Sequence, residues 1–202
     1  MTDNVKDVLF PSDNWLEIPV LKLEMQAKEV ELPFVPYGTA HKMRTARTLH
    51  YYTEDYRFGA LWENPAKGLN NSITQAVEPN ISLFDTTPIA RGLERIYRKR
   101  WIARWWQNKG ICIYADLNVS AKFYEYNLLG IPKGWNAFAT RGYRGGLEAL
   151  KEEHGIARKI SECDIPNMIV YGGGKEIAEY CRKNSLLYIT DFMTEKGERN
   201  NG

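Results

Sequence analysis

Short apolar runs alternate with helix-like segments along most of this chain. The runs fall at residues 81–84, 111–117, 135–140, 168–171 and 187–192, and a polar residue or glycine stands at or near the end of each. Such alternation is typical of α/β proteins with parallel strands, because each helix carries the chain back to the start of the next strand. The sequence therefore predicts an α/β fold with a mostly parallel sheet built from repeated βα units. Either an open sheet or a partial, distorted βα barrel would satisfy this pattern.

The length of 202 residues fits one domain with an appended arm. Frequent prolines interrupt residues 1–48, so we expect an irregular N-terminal arm that packs on the core, with a short helix near residues 20–30. Residues 49–193 are predicted to form the βα domain, with a first strand at 49–53 and a helix within 64–76. The spacing of Leu147, Leu150 and His154 predicts a later helix that ends at Gly155, and another helix is predicted at 175–183. The polar residues 194–202 are predicted to be a frayed tail.

The composition excludes several classes of protein. Hydrophobic residues make up 44% and charged residues 26% of the chain, as in soluble globular proteins, so a disordered or fibrous chain is excluded. No apolar stretch reaches the roughly 18 residues of a transmembrane helix, and the acidic amino terminus lacks the layout of a secretory signal. The three cysteines are odd in number and widely spaced, which fits reduced thiols better than a disulfide framework or a zinc site. We therefore expect a cytoplasmic protein with reduced thiols and no membrane contact.

Positive charge is concentrated between Arg91 and Lys109, where Glu94 is the one acid. The net charge is only +2, so the distribution matters more than the sum. A helix over residues 89–107 would place four basic residues on its outer face: Arg91, Arg95, Arg98 and Lys99. Basic residues interleaved with aromatic residues suit phosphate contact and base stacking, so this helix is a candidate nucleic-acid contact. A solvated charged face over buried tryptophans explains the same residues.

The second half of the same helix conflicts with this arrangement. Helical spacing moves Trp101, Trp105 and Trp106 to the polar side and places Arg100 and Arg104 on the apolar side. Either the helix bends, or its tryptophans pack against another element, such as the arm or a partner subunit. We favour packing by the N-terminal arm.

A glycine-rich turn joins a predicted strand to a predicted helix at residues 171–175. Gly172, Gly173 and Gly174 would let backbone amides approach an anion, and Lys175 would add a donor at the helix N-terminus. The spacing is not that of a Walker loop. A tight turn that requires positive φ angles is the competing explanation.

A second candidate phosphate clamp follows the predicted strand at 135–140. Arg141 and Arg144 lie among three glycines there, and a guanidinium group matches phosphate or carboxylate oxygens with two parallel hydrogen bonds. A solvated loop whose arginines pair with nearby acids would look the same in sequence.

Three aspartates fall at or near the carboxyl ends of predicted strands: Asp85, Asp116 and Asp191. Carboxylate oxygens suit a hard divalent cation, so together they would form a site for Mg²⁺. Asp85 also suits a helix cap, and Asp116 could satisfy a loop amide. The histidines lack metal-ligand spacing, and no serine or cysteine occupies a nucleophile elbow.

Four blocks of sequence carry a family resemblance. They are HYYTEDYRFGALWENP at 50–65, EPNISLFDTTP at 78–88, RIYRKRWIARWWQNKGI at 95–111 and GIPKGWNAFATRG at 130–142. With these blocks the chain resembles a family of phage, plasmid and bacterial proteins catalogued only as a domain of unknown function. The resemblance implies an origin in a mobile element and work in replication, DNA processing or contest with host defences. It implies no particular reaction.

Three functional hypotheses follow. The first is a nucleic-acid-associated protein that binds phosphates of DNA or RNA through the basic helix and the arginine–glycine loop. The second is an enzyme that acts on a phosphorylated small molecule or nucleotide at the carboxyl ends of the strands. The third is a protein that binds and inhibits a host or phage partner through exposed tryptophans, Trp101, Trp105 and Trp106. Whether the protein is an enzyme, and whether it forms a homo-oligomer, stays open at this level.

Overall fold

A computed structural model describes residues 8–191 of the chain, and the predicted tail at 194–202 lies outside these residues. The chain divides after Pro132 into two compact units, at a point within the predicted 49–193 domain. Strands within each unit pair in parallel. The predicted α/β class with a parallel sheet is therefore confirmed. Within residues 8–191, no helix combines the length and apolar character needed to cross a membrane.

The first unit contains four strands that pair in chain order. One row of apolar side chains crosses this sheet through Val35, Leu49, Ala76 and Ile113, and all four are buried. Such a row is expected for parallel strands that are covered on both faces. The strands are β1 (Phe34–Pro36), β2 (Thr48–His50), β3 (Gln75–Val77) and β4 (Cys112–Asp116).

The helices of the first unit are dominated by one long element, α2. Its bounds, Ile89–Gln107, are those predicted from the sequence, and the chain leaves it through Gly110 at a φ of +85°. Along the chain, the short helix α1 (Ala40–Met43) precedes α2, and the short helix α3 (Tyr124–Asn127) follows it. Single turns of 3₁₀ helix lie at Leu23–Met25, Asp55–Arg57, Gly59–Leu61, Pro65–Gly68 and Ala121–Phe123.

The N-terminal arm covers the tryptophan-rich half of α2, as predicted. The Trp101 indole nitrogen donates to the Val8 carbonyl at 2.8 Å, and the Phe10 ring lies 5.6 Å from the Trp101 ring. Gln107 accepts from the Lys22 amide at 2.7 Å and donates to the Lys22 carbonyl at 3.0 Å. These contacts resolve the conflict in the helical pattern, because the arm supplies the second apolar surface that the helix needs.

Several local predictions in the first unit are wrong. Residues 81–84 form no strand; β3 lies earlier, at Gln75–Val77, because Pro79 ends it and the Ile81 amide turns back to the Pro79 carbonyl. The arm is not wholly irregular, since it contributes β1. The helices predicted near 20–30 and 64–76 are single 3₁₀ turns. Short segments are held by contacts with the rest of the unit, which local spacing does not contain.

The second unit alternates strands and helices regularly. Its strands β5 (Phe138–Arg141), β6 (Met168–Tyr171) and β7 (Leu187–Ile189) pair in order, and α4 (Leu147–Ser161) and α5 (Lys175–Lys183) connect them. The bounds of β6 and α5 are as predicted. The prediction that α4 ends at Gly155 is wrong, because the buried stripe of Leu150, His154 and Ala157 continues past that glycine. The helix ends instead at Ser161, and the residue that follows it, Glu162, has a φ of +53°.

Candidate functional site

A buried carboxylate closes β4 at the carboxyl end of the first unit's sheet. Asp116 is fully buried. Its side chain accepts hydrogen bonds from Lys99 Nζ, the Tyr52 hydroxyl and Asn80 Nδ2, each at 3.1 Å. The Asn118 amide adds a fourth at 3.2 Å. Four donors around one buried carboxylate compensate for the water that it has lost.

A second buried ion pair adjoins the first. Arg100 donates to Glu78 Oε1 at 2.7 Å and to the Asn127 carbonyl at 2.7 Å, while Glu78 Oε2 accepts from the Asp116 amide at 3.1 Å. Burial lowers the pKa of the Arg100 guanidinium, and the charge of Glu78 opposes that shift. The two ion pairs thus form one network that ties α2 to the segments following β3 and β4.

This network corrects one of the predicted phosphate-binding residues. Lys99 was predicted to lie on the outer face of α2 with the arginines, but its side chain is 1% exposed and paired with Asp116. Helical spacing places Lys99 near the border of that face, and a buried carboxylate at the end of β4 decides its direction. Lys99 is therefore not available to a ligand at the surface.

The other three predicted arginines line a pocket. This pocket has a volume of about 340 Å³ and lies beside the first half of α2, between that helix, the 3₁₀ turns after β2 and the segment after β3. Arg91, Arg95 and Arg98 line it together with two carboxylates, Asp55 and Glu94. The structure thus confirms that these arginines share a face of the helix, and places that face in a concave surface.

Hydrogen bonds hold one wall of the pocket in place. Ser82 donates through its hydroxyl to Asp55 Oδ1 at 3.0 Å and through its amide to Asp55 Oδ2 at 3.1 Å. The Ser82 carbonyl in turn accepts from Arg95. The segment after β3 is therefore fixed on one side by an aspartate and on the other by an arginine of α2.

The opposite wall is aromatic. The Arg98 guanidinium carbon lies 5.0 Å from the centre of the Trp62 ring, and Arg98 also pairs with Glu94. The Trp62 ring meets the edges of Tyr97 and Trp101, with ring centres 6.1 Å and 5.5 Å away. Trp62 is thus held by packing, and Arg98 is held over it by a cation–π contact and an ion pair.

Such a pocket has the chemistry of a phosphate and base site. Guanidinium groups bind phosphate oxygens through paired hydrogen bonds, and aromatic rings offer stacking or edge contacts to a base. Pockets for small ligands typically span about 300–1,000 Å³. The pocket is therefore of a size for one nucleotide unit rather than for a duplex.

Within the second unit, the two predicted anion-binding loops come together. Arg141 is the last residue of β5, and the Gly142 amide donates to the Tyr171 carbonyl at 3.0 Å. A Cβ atom on Gly142 would lie 2.5 Å from the Gly172 carbonyl oxygen. Arg141, Arg144 and Lys175 are exposed at this edge.

Backbone geometry explains the three glycines of that edge. Gly172, Gly173 and Gly174 have φ angles of +74°, +101° and +83°, which favour glycine strongly. A Cβ on Gly172 would lie 2.5 Å from Asp191 Oδ2, so a carboxylate already lies against the loop. The tight turn alone accounts for the sequence, and phosphate binding at this edge stays a prediction.

The three aspartates proposed for Mg²⁺ have different environments. Asp85 is exposed, Asp116 is enclosed by its network, and Asp191 lies against Gly172. Within residues 8–191, no group of three His, Cys, Asp or Glu side chains is placed to hold a metal ion. Mg²⁺ binding stays a prediction without a preformed site.

The tryptophans of α2 do not form an exposed anchor. Trp101 and Trp106 are fully buried, and Trp106 donates to the Pro65 carbonyl at 2.9 Å. Trp105 is partly buried, with Lys109 Nζ 5.1 Å from its ring centre. Hot spots for a partner require surface aromatics, so the predicted docking role of Trp101 and Trp106 is wrong.

Sequence reasoning missed several residues of the pocket and network: Tyr52, Asp55, Trp62, Glu78, Asn80 and Ser82. All of them lie in the blocks at 50–65 and 78–88 that carry the family resemblance. The signal that the sequence contains for this region is the order of these two blocks along the chain. Local spacing predicts strands at 49–53 and 81–84 within these blocks and indicates no role for their single residues.

Residues 10–192 match the family described as Domain of unknown function (DUF4417). The chain belongs to this family. It is 26% identical to the Gene 1 protein of Mycobacterium phage L5, over 79% of this chain and 70% of that protein. It is 27% identical to the Gene 1 protein of Mycobacterium phage D29, over 92% of this chain and 69% of that protein. No solved structure matches significantly.

The DUF4417 match confirms the resemblance drawn from the sequence blocks, and both similar proteins are phage proteins. The matched range includes every residue of the pocket and of the buried network. The pocket and the network therefore lie within the part of this chain that matches the family.

Proposed function

We propose that this DUF4417 protein binds nucleic acid, and that the pocket beside α2 takes one nucleotide of the strand. The observation that carries the proposal is the convergence of Arg91, Arg95 and Arg98 on one pocket that also contains Trp62. Phosphate would bind the arginines, and the base would lie at the aromatic wall.

A single strand fits this pocket better than a duplex. An unpaired base can leave its stack and enter a pocket, whereas duplex readout through a helix needs a long exposed surface. The second half of α2 offers no such surface, because Lys99, Arg100 and Arg104 are buried. The basic region of the helix is therefore limited to its first half.

Both relatives are called Gene 1 protein, a name that states no activity, so the proposed role on nucleic acid depends on the pocket. Work in replication, DNA processing or contest with host defences is part of the proposal, as is the cytoplasmic location that such work requires. A second candidate, binding of a free nucleotide or phosphorylated small molecule by an enzyme, is favoured by the volume of the pocket, about 340 Å³.

The test is fluorescence anisotropy with labelled single-stranded DNA, single-stranded RNA and duplex DNA across a salt series. We expect the single strands to bind most tightly, with log affinity falling linearly against log salt. The double substitution Arg91→Gln/Arg98→Gln should weaken binding and reduce the salt slope by about 0.7, for the one phosphate that the pocket would neutralise. Arg95 is left in place because it also holds Ser82.

The matched control is Arg158→Gln/Arg182→Gln, which removes two exposed arginines of the second unit that lie outside the predicted anion-binding loops. Equal loss of affinity in both double variants would mean that binding depends on the overall positive charge of the protein and not on the pocket. Unchanged affinity in the pocket variant would contradict the proposal. Binding of free nucleotides without any binding of single strands would favour the enzyme.

A further inference from the structure

Glu94 is the one acidic residue among the seven basic residues between Arg91 and Lys109, and it lies in the pocket. Its carboxylate pairs with Arg98, one helical turn further on, and the two side chains are 46% and 40% exposed. An ion pair this open contributes little to stability. Because of its position in the pocket, we expect Glu94 to affect ligand binding more than protein stability.

The charges of the pocket nearly balance. Three arginines and two carboxylates line it, which leaves one net positive charge among the described lining residues. Asp55 is engaged by both the amide and the hydroxyl of Ser82. Glu94 is engaged by Arg98, the same arginine that a ligand phosphate would contact. A bound phosphate must therefore share Arg98 with Glu94.

We infer that Glu94 restricts the pocket to singly charged phosphodiesters, the chemistry of a nucleic-acid backbone, and disfavours terminal phosphates. A phosphodiester carries one negative charge and neutralises the pocket. A terminal phosphate carries about −1.5 to −2 near neutral pH and leaves uncompensated negative charge in a partly enclosed site. This inference rests on the proposed function and names the part of the nucleic acid that the pocket takes.

A matched pair of small ligands tests the inference: uridine 5′-monophosphate and its methyl phosphodiester, which share base, sugar and phosphorus and differ by about one charge. Binding is measured by titration calorimetry at low salt, with a chelator present, for the wild type and Glu94→Gln. The wild type should prefer the methyl ester. Removing the carboxylate should shift the ratio of the two affinities toward the monophosphate by roughly threefold to tenfold.

The control is Glu148→Gln, because Glu148 also pairs with a basic residue of its own helix, Lys151, but lies on α4 of the second unit. It should leave both affinities unchanged. An unchanged ratio in Glu94→Gln, a monophosphate preference in the wild type, or no heat with either ligand would each overturn the inference. The oligonucleotide titrations judge the proposed function separately, because they do not depend on discrimination between these two ligands.

Discussion

The two units carry their charges differently. In the first unit, two ion pairs lie inside the protein, Lys99 with Asp116 and Arg100 with Glu78, with side chains at most 1% exposed. In the described part of the second unit, the ion pairs are at the surface, as in Lys151 with Glu148 and Lys183 with Glu179. Both units have parallel strands, so the difference does not follow from strand direction.

The same contrast separates the two predicted phosphate sites. In the first unit, basic side chains surround a pocket with an aromatic wall, and the buried network lies directly behind the segment that forms one side of it. In the second unit, the glycines are explained by backbone geometry, and Asp191 lies against the loop. The case for a ligand site is therefore stronger beside α2, where a concave surface gathers the basic side chains.

The largest expected effect compares one substitution in the two units. Lys99→Met would leave the buried Asp116 carboxylate without its cation and should destabilise the protein by about 3–5 kcal/mol. Lys183→Met removes an exposed partner of Glu179 and should leave stability nearly unchanged. Urea denaturation followed by circular dichroism measures both. Similar effects of the two substitutions would refute the contrast between buried and surface charge.

A second comparison uses the same change in two long helices. Gly92 of α2 is buried, and an added Cβ would lie 2.1 Å from the Phe123 ring, so Gly92→Ala should cost about 1–3 kcal/mol through overpacking. Gly155 of α4 has open space around it, and Gly155→Ala should stabilise by about 0.5–1 kcal/mol. Thermal melts of both variants should shift in opposite directions. Shifts in the same direction would contradict the difference in packing around the two glycines.

A third comparison tests the turn explanation for the glycine loop. Gly173 has a φ of +101° and packs on the Gly142 backbone, 2.9 Å from an added Cβ, whereas Gly174 has a φ of +83° and open space. Gly174→Ala should cost about 1–3 kcal/mol for the backbone conformation alone, because a φ of +83° with a ψ of −167° is nearly restricted to glycine. Gly173→Ala should cost about 1–3 kcal/mol more, because the backbone must also move. Chemical denaturation gives both values. Equal costs, together with lost binding of inorganic phosphate, would instead support an anion site at this loop.

The smallest expected effect is a pH dependence in the second unit. Burial lowers the pKa of His154, whose Nδ1 lies 2.9 Å from the Tyr180 hydroxyl, so the folded protein holds this proton less tightly than the unfolded chain. The stability that the neutral His154 side chain contributes is fully present above the ordinary imidazole pKa of about 6.5. It is lost as the pH falls through that value toward the lower pKa of the folded state.

His154→Gln should therefore flatten the loss of stability on acidification, while the exposed His41→Gln should not. Melting temperatures measured at several pH values on both sides of the imidazole pKa provide the test. An acid-induced loss that is the same in the wild type and in His154→Gln would assign the effect to other groups.

Elements with a strong local pattern were predictable. The bounds of α2, β6 and α5 follow from helical spacing, from β-branched residues and from proline or glycine at the ends. Strands β1 and β3 were not predictable. Each has three residues, which is too few for a recognisable alternation of apolar and polar residues, and each is stabilised by neighbours distant in sequence. The extension of α4 past Gly155 depended on buried contacts that a glycine does not reveal.

The candidate site was predictable in part. Three of the four predicted arginines of α2 line the pocket, because they share one helical face. Lys99 does not, because the direction of a long side chain near the border of that face depends on where a buried carboxylate lies. Asp55 and Trp62 carried no local signal of a pocket, since their approach to α2 depends on how segments far apart in the chain fold together.

The sequence by itself determined the α/β class, the parallel direction of the strands, the long basic helix and the DUF4417 family. These properties depend on periodicity and on the order of residues along the chain, which the sequence contains directly. Tertiary structure decided which charges are buried and which converge on the pocket, as Lys99 and Arg98 show. Burial and convergence depend on distances between segments remote in sequence, and those distances exist only once the chain has folded.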